Sequence, residues 1–261
     1  MNALELHSLT KTYGHAVKAL DRLSLKVPQG VIFGFLGLNG AGKTTTINIL
    51  AGFLKKDGGT IRLFGNEIQD EDFEYKRELG FVLDRPLYFE QMTGREYLEF
   101  VGEMYDVLPD ALSGRIDELL EFLDLEEKGD DLIGTYSTGM RKKISLAAAI
   151  IHKPRLVILD EPLEGIDALS AGEIKELLKL MAKRGTTVFM TSHVLDTVEK
   201  ICDELAIIER GRLVLQCEKE KVRGMVKHVI QAEHVSNLEQ LFVGLVGRKK
   251  KKDTLSWLRE S

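Results

Sequence analysis

Cysteine is scarce in this chain. Its 261 residues hold two, Cys202 and Cys217, in neither a CxxC pair nor a metal-ligand spacing. A disulfide scaffold and a cysteine-built zinc site are excluded, and a reducing, cytosolic setting is expected. Long apolar runs are also missing. The run from Val31 to Leu38 is broken by Gly34 and Gly37, far short of the ~20 residues that span a bilayer. Any service to a membrane is therefore expected to pass through a partner. The stretch Met1–Glu5 has no charged-then-apolar pattern, so no export signal is expected there. Neither sign of charge dominates. The net charge is -5, which gives no electrostatic reason to expect a nucleic-acid partner. No repeat with a period of 20–50 residues is visible. What remains is 44% hydrophobic and 30% charged, enough core for one large or two small domains.

The first third reads as strand. Leu4-Glu5-Leu6, Leu23 to Val27 and Thr60 to Leu63 alternate apolar with polar residues, as half-buried strands do. Val31 to Leu36 is almost wholly apolar, which suits a strand covered on both faces of a parallel sheet. A helix is expected over Thr44 to Phe53, closed at Gly58-Gly59. From about Pro86 to Lys153 the pattern is helical, with apolar residues three and four apart over Arg95–Met104 and Ile116–Leu125. Beyond that, short buried strands (Leu156–Leu159, Thr187–Met190, Leu205–Ile208) alternate with helices (Ile174–Met181, Val194–Cys202). Such alternation predicts a parallel sheet with crossover helices. The tail from about Lys219 is less regular and carries the basic run Arg248 to Lys252, which reads as a solvated charge run or a contact for an acidic surface.

Two motifs carry chemistry. Gly37-Leu38-Asn39-Gly40-Ala41-Gly42-Lys43-Thr44 fits G-x-x-x-x-G-K-[ST] in full, between a strand and a helix. Its glycines let backbone N–H groups approach phosphates, and the helix N-terminus favours anions. Lys43 is expected to reach the outer phosphates and Thr44 to ligate Mg²⁺, with Thr45 bonding a phosphate oxygen. The second motif is Leu156-Val157-Ile158-Leu159-Asp160-Glu161. Asp160 ends a buried strand and emerges at the carboxyl edge of the sheet, where α/β sheets bind ligands. It is expected to hold Mg²⁺ through water, and Glu161 to act as general base.

Between the two lies Tyr136-Ser137-Thr138-Gly139-Met140, opening a helix ahead of the Asp-Glu strand. This order resembles the signature and Walker B motifs of the ABC ATPases, and the resemblance covers about Leu4 to Leu215. It implies an α/β P-loop fold with a RecA-like core, an N-terminal antiparallel β part and an inserted helical subdomain. The expected boundaries are 1–218 for the cassette, about 86–153 for the helical subdomain and 219–261 for a C-terminal extension. By the same resemblance Tyr13 stacks on adenine, and His193 contacts the γ-phosphate and orients the water. Asp167 lies at a dimer seam. Ser137, Thr138, Gly139 and Met140 face the ATP of an opposing subunit. Asp84 stands where the family most often has Gln and is expected on the Mg²⁺ side.

The resemblance further implies an ATP-hydrolysing subunit that pairs with a second ATP-binding subunit, as homo- or heterodimer, and drives a separate transmembrane permease. It would sit on the cytoplasmic face of the membrane as a peripheral subunit. The variants at Asp84 and at Thr138 and Met140 look like those of exporter-type systems. An importer cassette and a non-transport ABC ATPase stay open as alternatives.

Overall fold

The computed structural model describes residues 1–14, 17–69, 72–84, 88–222 and 238–246. The basic run Arg248 to Lys252 lies outside them. Among the described residues, ten strands form two sheets. The first is antiparallel, in the order β2-β1-β4-β5, from β1 (Asn2–Tyr13), β2 (Val17–Pro28), β4 (Gly58–Leu63) and β5 (Asn66–Glu67). The second runs β10-β9-β3-β8-β7-β6, from β3 (Ile32–Leu36), β6 (Leu79–Val82), β7 (Leu156–Leu159), β8 (Thr187–Ser192), β9 (Glu204–Glu209) and β10 (Arg212–Glu218). Only its β9–β10 pair is antiparallel.

The period-2 geometry of strands explains how this sheet builds two cores. Phe33, Phe35, Leu156, Ile158, Phe189, Ala206 and Ile208 face the antiparallel sheet and meet Leu4, Leu6, Leu23 and Leu25. Their neighbours Ile32, Leu36, Val157, Leu159, Val188, Met190, Leu205 and Ile207 face the helices. Burying both faces is what the near-continuous apolar runs require. Gly34 keeps the helix side close, because a Cβ there would lie 2.8 Å from Val198 Cγ1 and 3.0 Å from Cys202 Sγ.

The helices are α1 (Lys43–Leu50), α2 (Gly94–Met104), α3 (Pro109–Phe122), α4 (Thr138–Ile150), α5 (Ala168–Lys183), α6 (Leu195–Ile201) and α7 (Leu238–Val246). Helices α2 to α4 fall between β6 and β7, where the sequence pattern predicts a helical block. Thr93 and Glu96 form a reciprocal capping box at the start of α2. Helix α1 stops earlier than expected. Gly52 takes the left-handed conformation at φ +77. The N–H groups of Gly52 and Phe53 then donate back to Ile49 and Asn48, a Schellman ending. Gly58 and Gly59 do not close this helix; they begin β4. Among the described residues, no helix is long and apolar enough to cross a membrane.

Candidate functional site

The parallel strands end at one edge in matched register, Val82 beside Leu159, Leu159 beside Met190, and Leu36 beside Ser192. The segments that follow them therefore converge. The glycine loop follows β3, Leu83-Asp84 follow β6, Asp160-Glu161 follow β7, and His193 follows β8.

The loop is built by its glycines. A Cβ on Gly37 would lie 2.7 Å from the Ile208 carbonyl oxygen and 2.8 Å from Ala41 Cβ. Gly42 caps α1 at φ +112 and faces the Ala19 carbonyl; a side chain fits neither place. Leu38, Asn39 and Gly40 form the exposed crest, whereas Ala41, Gly42 and Lys43 are buried. Thr44 is exposed and Thr45 half-buried in the first turn of α1. The Gly211 N–H donates to the Ala41 carbonyl and the Asp21 N–H to the Gly211 carbonyl. The loop is thus tied to β2, whose hairpin partner β1 ends at the exposed Tyr13.

Lys43 Nζ donates to the Gly37 carbonyl at 2.8 Å and lies 3.6 Å from Glu161 Oε1. The other Glu161 oxygen is 3.1 Å from His193 Nδ1, and the His193 N–H donates to it at 3.3 Å. Loop lysine, carboxylate and imidazole thus form a continuous chain across the edge. Asp160 is buried and accepts from the Thr191 hydroxyl at 2.6 Å. The same Thr191 oxygen accepts the Glu161 N–H at 2.9 Å. Glu161 itself adopts φ +48, a left-handed conformation that a non-glycine residue holds only when its surroundings enforce it.

The exposed threonine hydroxyl and the Asp84 and Asp160 carboxylates are hard oxygen donors, the type that suits Mg²⁺, and the loop lysine with the amides at the α1 N-terminus suits phosphates. Asp84 is exposed, two residues past the end of β6. Among the described residues, the side chains whose ligand atoms gather within 4.8 Å are Glu161, Glu164 and His193.

The signature residues lie elsewhere. Ser137 caps α4, accepting the Met140 N–H at 3.2 Å. Ser137 and Thr138 are exposed, Met140 is half-buried, and Gly139 is packed against the next element. A Cβ on Gly139 would lie 2.7 Å from Ser170 Oγ and 3.1 Å from Asp167 Oδ2. Asp167 caps α5 by accepting from the backbone and hydroxyl of Ser170, which hold its carboxyl below the usual range. Tyr136 is buried, donates to the Lys128 carbonyl at 2.6 Å, and is pushed up to about 12, mainly by burial. Its hydroxyl occupies the space where a Cβ on Gly94 would be. Among the described residues, no hydrogen bond or ion pair joins 137–140 to 37–45.

Three participants escape the sequence reading. Thr191 bridges Asp160 and Glu161. Glu164 Oε1 lies 3.8 Å from His193 Nε2. Lys142 of α4 donates to the carbonyls of Glu161 at 2.8 Å and Glu164 at 2.6 Å. Burial pulls the Lys142 ammonium below the usual lysine range, against the pull of Glu164, Asp84, Glu161 and Asp160. Glutamate and lysine at these positions belong to no motif, and their contacts are distant in sequence.

Residues 20–164 match the family model described as ABC transporter. The bacitracin transport ATP-binding protein BcrA of Bacillus licheniformis is 38% identical over 79% of this chain and 66% of its own length. The daunorubicin/doxorubicin resistance ATP-binding protein DrrA of Streptomyces peucetius is 36% identical over 82% of this chain and 64% of its own length. The chain thus spans a little under two thirds of these two relatives. A solved ATP-binding subunit of an ABC transporter superposes with a TM-score of 0.84 at 27% identity, covering 93% of this chain and 99% of that one.

Proposed function

The chain belongs to the ABC transporter ATP-binding family, and we propose that it hydrolyses ATP at the carboxyl edge of its parallel sheet to drive a separate transmembrane subunit. The observation that carries this is the chain of contacts from Lys43 through Glu161 to His193 beneath the glycine loop. The loop amides and Lys43 bind the phosphates of ATP, and Tyr13 stacks on the base. Thr44, Asp160 and Asp84 are the residues that would hold Mg²⁺, which supplies charge neutralisation at the outer phosphates. Glu161 takes a proton from the attacking water as the γ-phosphoryl group leaves ADP. His193 fixes the carboxylate that does so and orients the water. Ser137 and Gly139 serve the ATP of a second ATP-binding subunit.

Transport in the export direction is supported by relatives named for bacitracin transport and for daunorubicin/doxorubicin resistance. The proposed cargo class is accordingly an antibiotic-type compound, recognised by the membrane partner rather than by this chain. The chain is proposed to sit on the cytoplasmic face of that partner.

The test is Glu161→Gln. It should keep ATP binding, accumulate an ATP-bound dimer and lower turnover by about a hundredfold or more, the lower range for loss of a general base. Turnover near wild type would remove Glu161 from the role.

A further inference from the structure

The left-handed backbone at Glu161 asks what holds it. Its N–H is taken by Thr191 Oγ1. Its carbonyl is taken by Lys142 Nζ, which also takes the carbonyl of Glu164 one turn onward. The lysine comes from α4, three residues after Gly139, so the helix that begins with the signature reaches directly to the peptide that carries the base. Lys142 is half-buried among acidic groups, and it uses two of its three donors on backbone rather than on carboxylates. A lysine serving only charge balance would meet the carboxylate oxygens instead. Carbonyl contacts on both sides of the Glu161–Glu164 turn constrain backbone dihedrals, and backbone dihedrals decide where the Glu161 side chain points.

We propose that Lys142 is a positioning residue that fixes the Glu161 carboxylate in its catalytic direction and links the signature helix to the base of the same chain. This rests on the reading of Glu161 as general base. The link gives a route within one subunit. When α4 shifts, Lys142 carries the Glu161 and Glu164 carbonyls with it, and the base enters or leaves its working direction. The contact of Ser137 and Gly139 with a second subunit's ATP, if made, would then be felt at the first subunit's own base.

Lys142→Met keeps an apolar stem of similar length and removes the donors; Lys142→Ala removes both, and Lys142→Arg restores donors on a longer stem. Steady-state ATPase and binding of a fluorescent ATP analogue are measured on the full chain, with thermal melting as the check of folding. The Met and Ala variants should lose about tenfold or more in kcat while KM and analogue affinity move less than about threefold. Arg should recover part of the loss. In a Glu161→Gln background, Lys142→Met should change the residual rate less than about twofold, because the group it positions is gone. Should Lys142→Ala fail to fold, the Met variant carries the comparison.

A Met variant with kcat within about twofold of wild type overturns the proposal. So does ATP affinity that falls in step with kcat, which would mean loosened packing. A loss that persists at full size in the Glu161→Gln background overturns it as well. Failure of the general-base reading shows separately, as turnover retained by Glu161→Gln alone.

Discussion

His152 illustrates how one buried ring ties the helical block to the sheet. It follows α4, stacks on Tyr105 at 3.7 Å between ring centroids and 10° between planes, and its Nε2 meets the Leu79 carbonyl of β6 at 3.0 Å. A carbonyl can only accept, so Nε2 carries the proton and Nδ1 is the bare nitrogen. Nδ1 is buried and has no hydrogen-bond partner among the described residues. Burial, aided by the Arg115 charge and opposed by the Leu79 bond, lowers the pKa of His152 below the usual imidazole range. On acidification the unfolded chain takes up a proton that the folded chain refuses. The stabilising contribution is thus complete above pH about 6.5, where both states are neutral, and is lost as pH falls toward the folded value. Comparing wild type with His152→Leu by thermal melting at pH 7.5 and pH 5.5, the wild type should lose more melting temperature on acidification. Equal losses would show that the ring does not titrate differently in the two states. The proposed site residues are legible in sequence where their type is the signal, as with Lys43, Asp160, Glu161 and His193. Thr191, Glu164 and Lys142 are not, because each acts through contacts with groups at least 19 residues away.

Elements are most legible in sequence where burial on both faces forces an apolar run, and least legible at their ends. Both α2 and α3 finish in Schellman turns without glycine. Asp106 and Asp124 take the left-handed position at φ +57 and +52. The Val107 N–H then donates to Gly102 and the Leu125 N–H to Leu120. The expected stop of the second helix at Leu125 falls three residues late for this reason: the apolar periodicity runs through Leu123 and Leu125, which stay buried after the helix has ended at Phe122. The two aspartates differ in company. Asp106 pairs with Arg77 at 2.5 Å, whereas Asp124 is exposed at the negative end of the helix dipole. Asp124→Gly removes both a left-handed side chain and an adverse charge, against the greater freedom of glycine in the unfolded chain. A gain of about 0.5–1 kcal/mol is expected, or roughly 1–4 °C in melting temperature for a chain of this size. The same change at Asp106 gives up the Arg77 pair and should gain less. If both variants melt alike, or Asp124→Gly melts lower, the conformational argument fails.

At the scale of the whole molecule, the arrangement divides the chemistry between two surfaces. The glycine loop, Glu161 and His193 occupy the carboxyl edge of the sheet, while Ser137 and Thr138 sit exposed at the start of α4 with Gly139 braced on Asp167 and Ser170. A helix N-terminus with exposed amides is a place for an anion, yet no hydrogen bond or ion pair among the described residues joins it to the loop of the same chain. The sequence shows both motifs but not this lack of direct contact, which depends on how α4 packs beside the strand ends. The proposed resolution is a second subunit that brings its own loop to this signature. Lys43→Ala removes the cation proposed to meet the phosphates. Gly139→Asp places a carboxylate where Cβ would already lie 2.7 Å from Ser170 Oγ and beside the Asp167 carboxylate. Each variant alone leaves both sites of a symmetric pair defective, because every site then contains either a bad loop or a bad signature. In a mixed pair, the intact loop of the Gly139→Asp chain faces the intact signature of the Lys43→Ala chain, and one whole site returns. Random pairing of equal amounts makes half of the pairs mixed, each with one good site of two, so about a quarter of wild-type ATPase should reappear. Thermal melting of each variant, and a two-tag pull-down showing the mixed pair, set the controls. A mixed pair that forms and stays inactive would mean that the signature and the loop do not share a site across subunits.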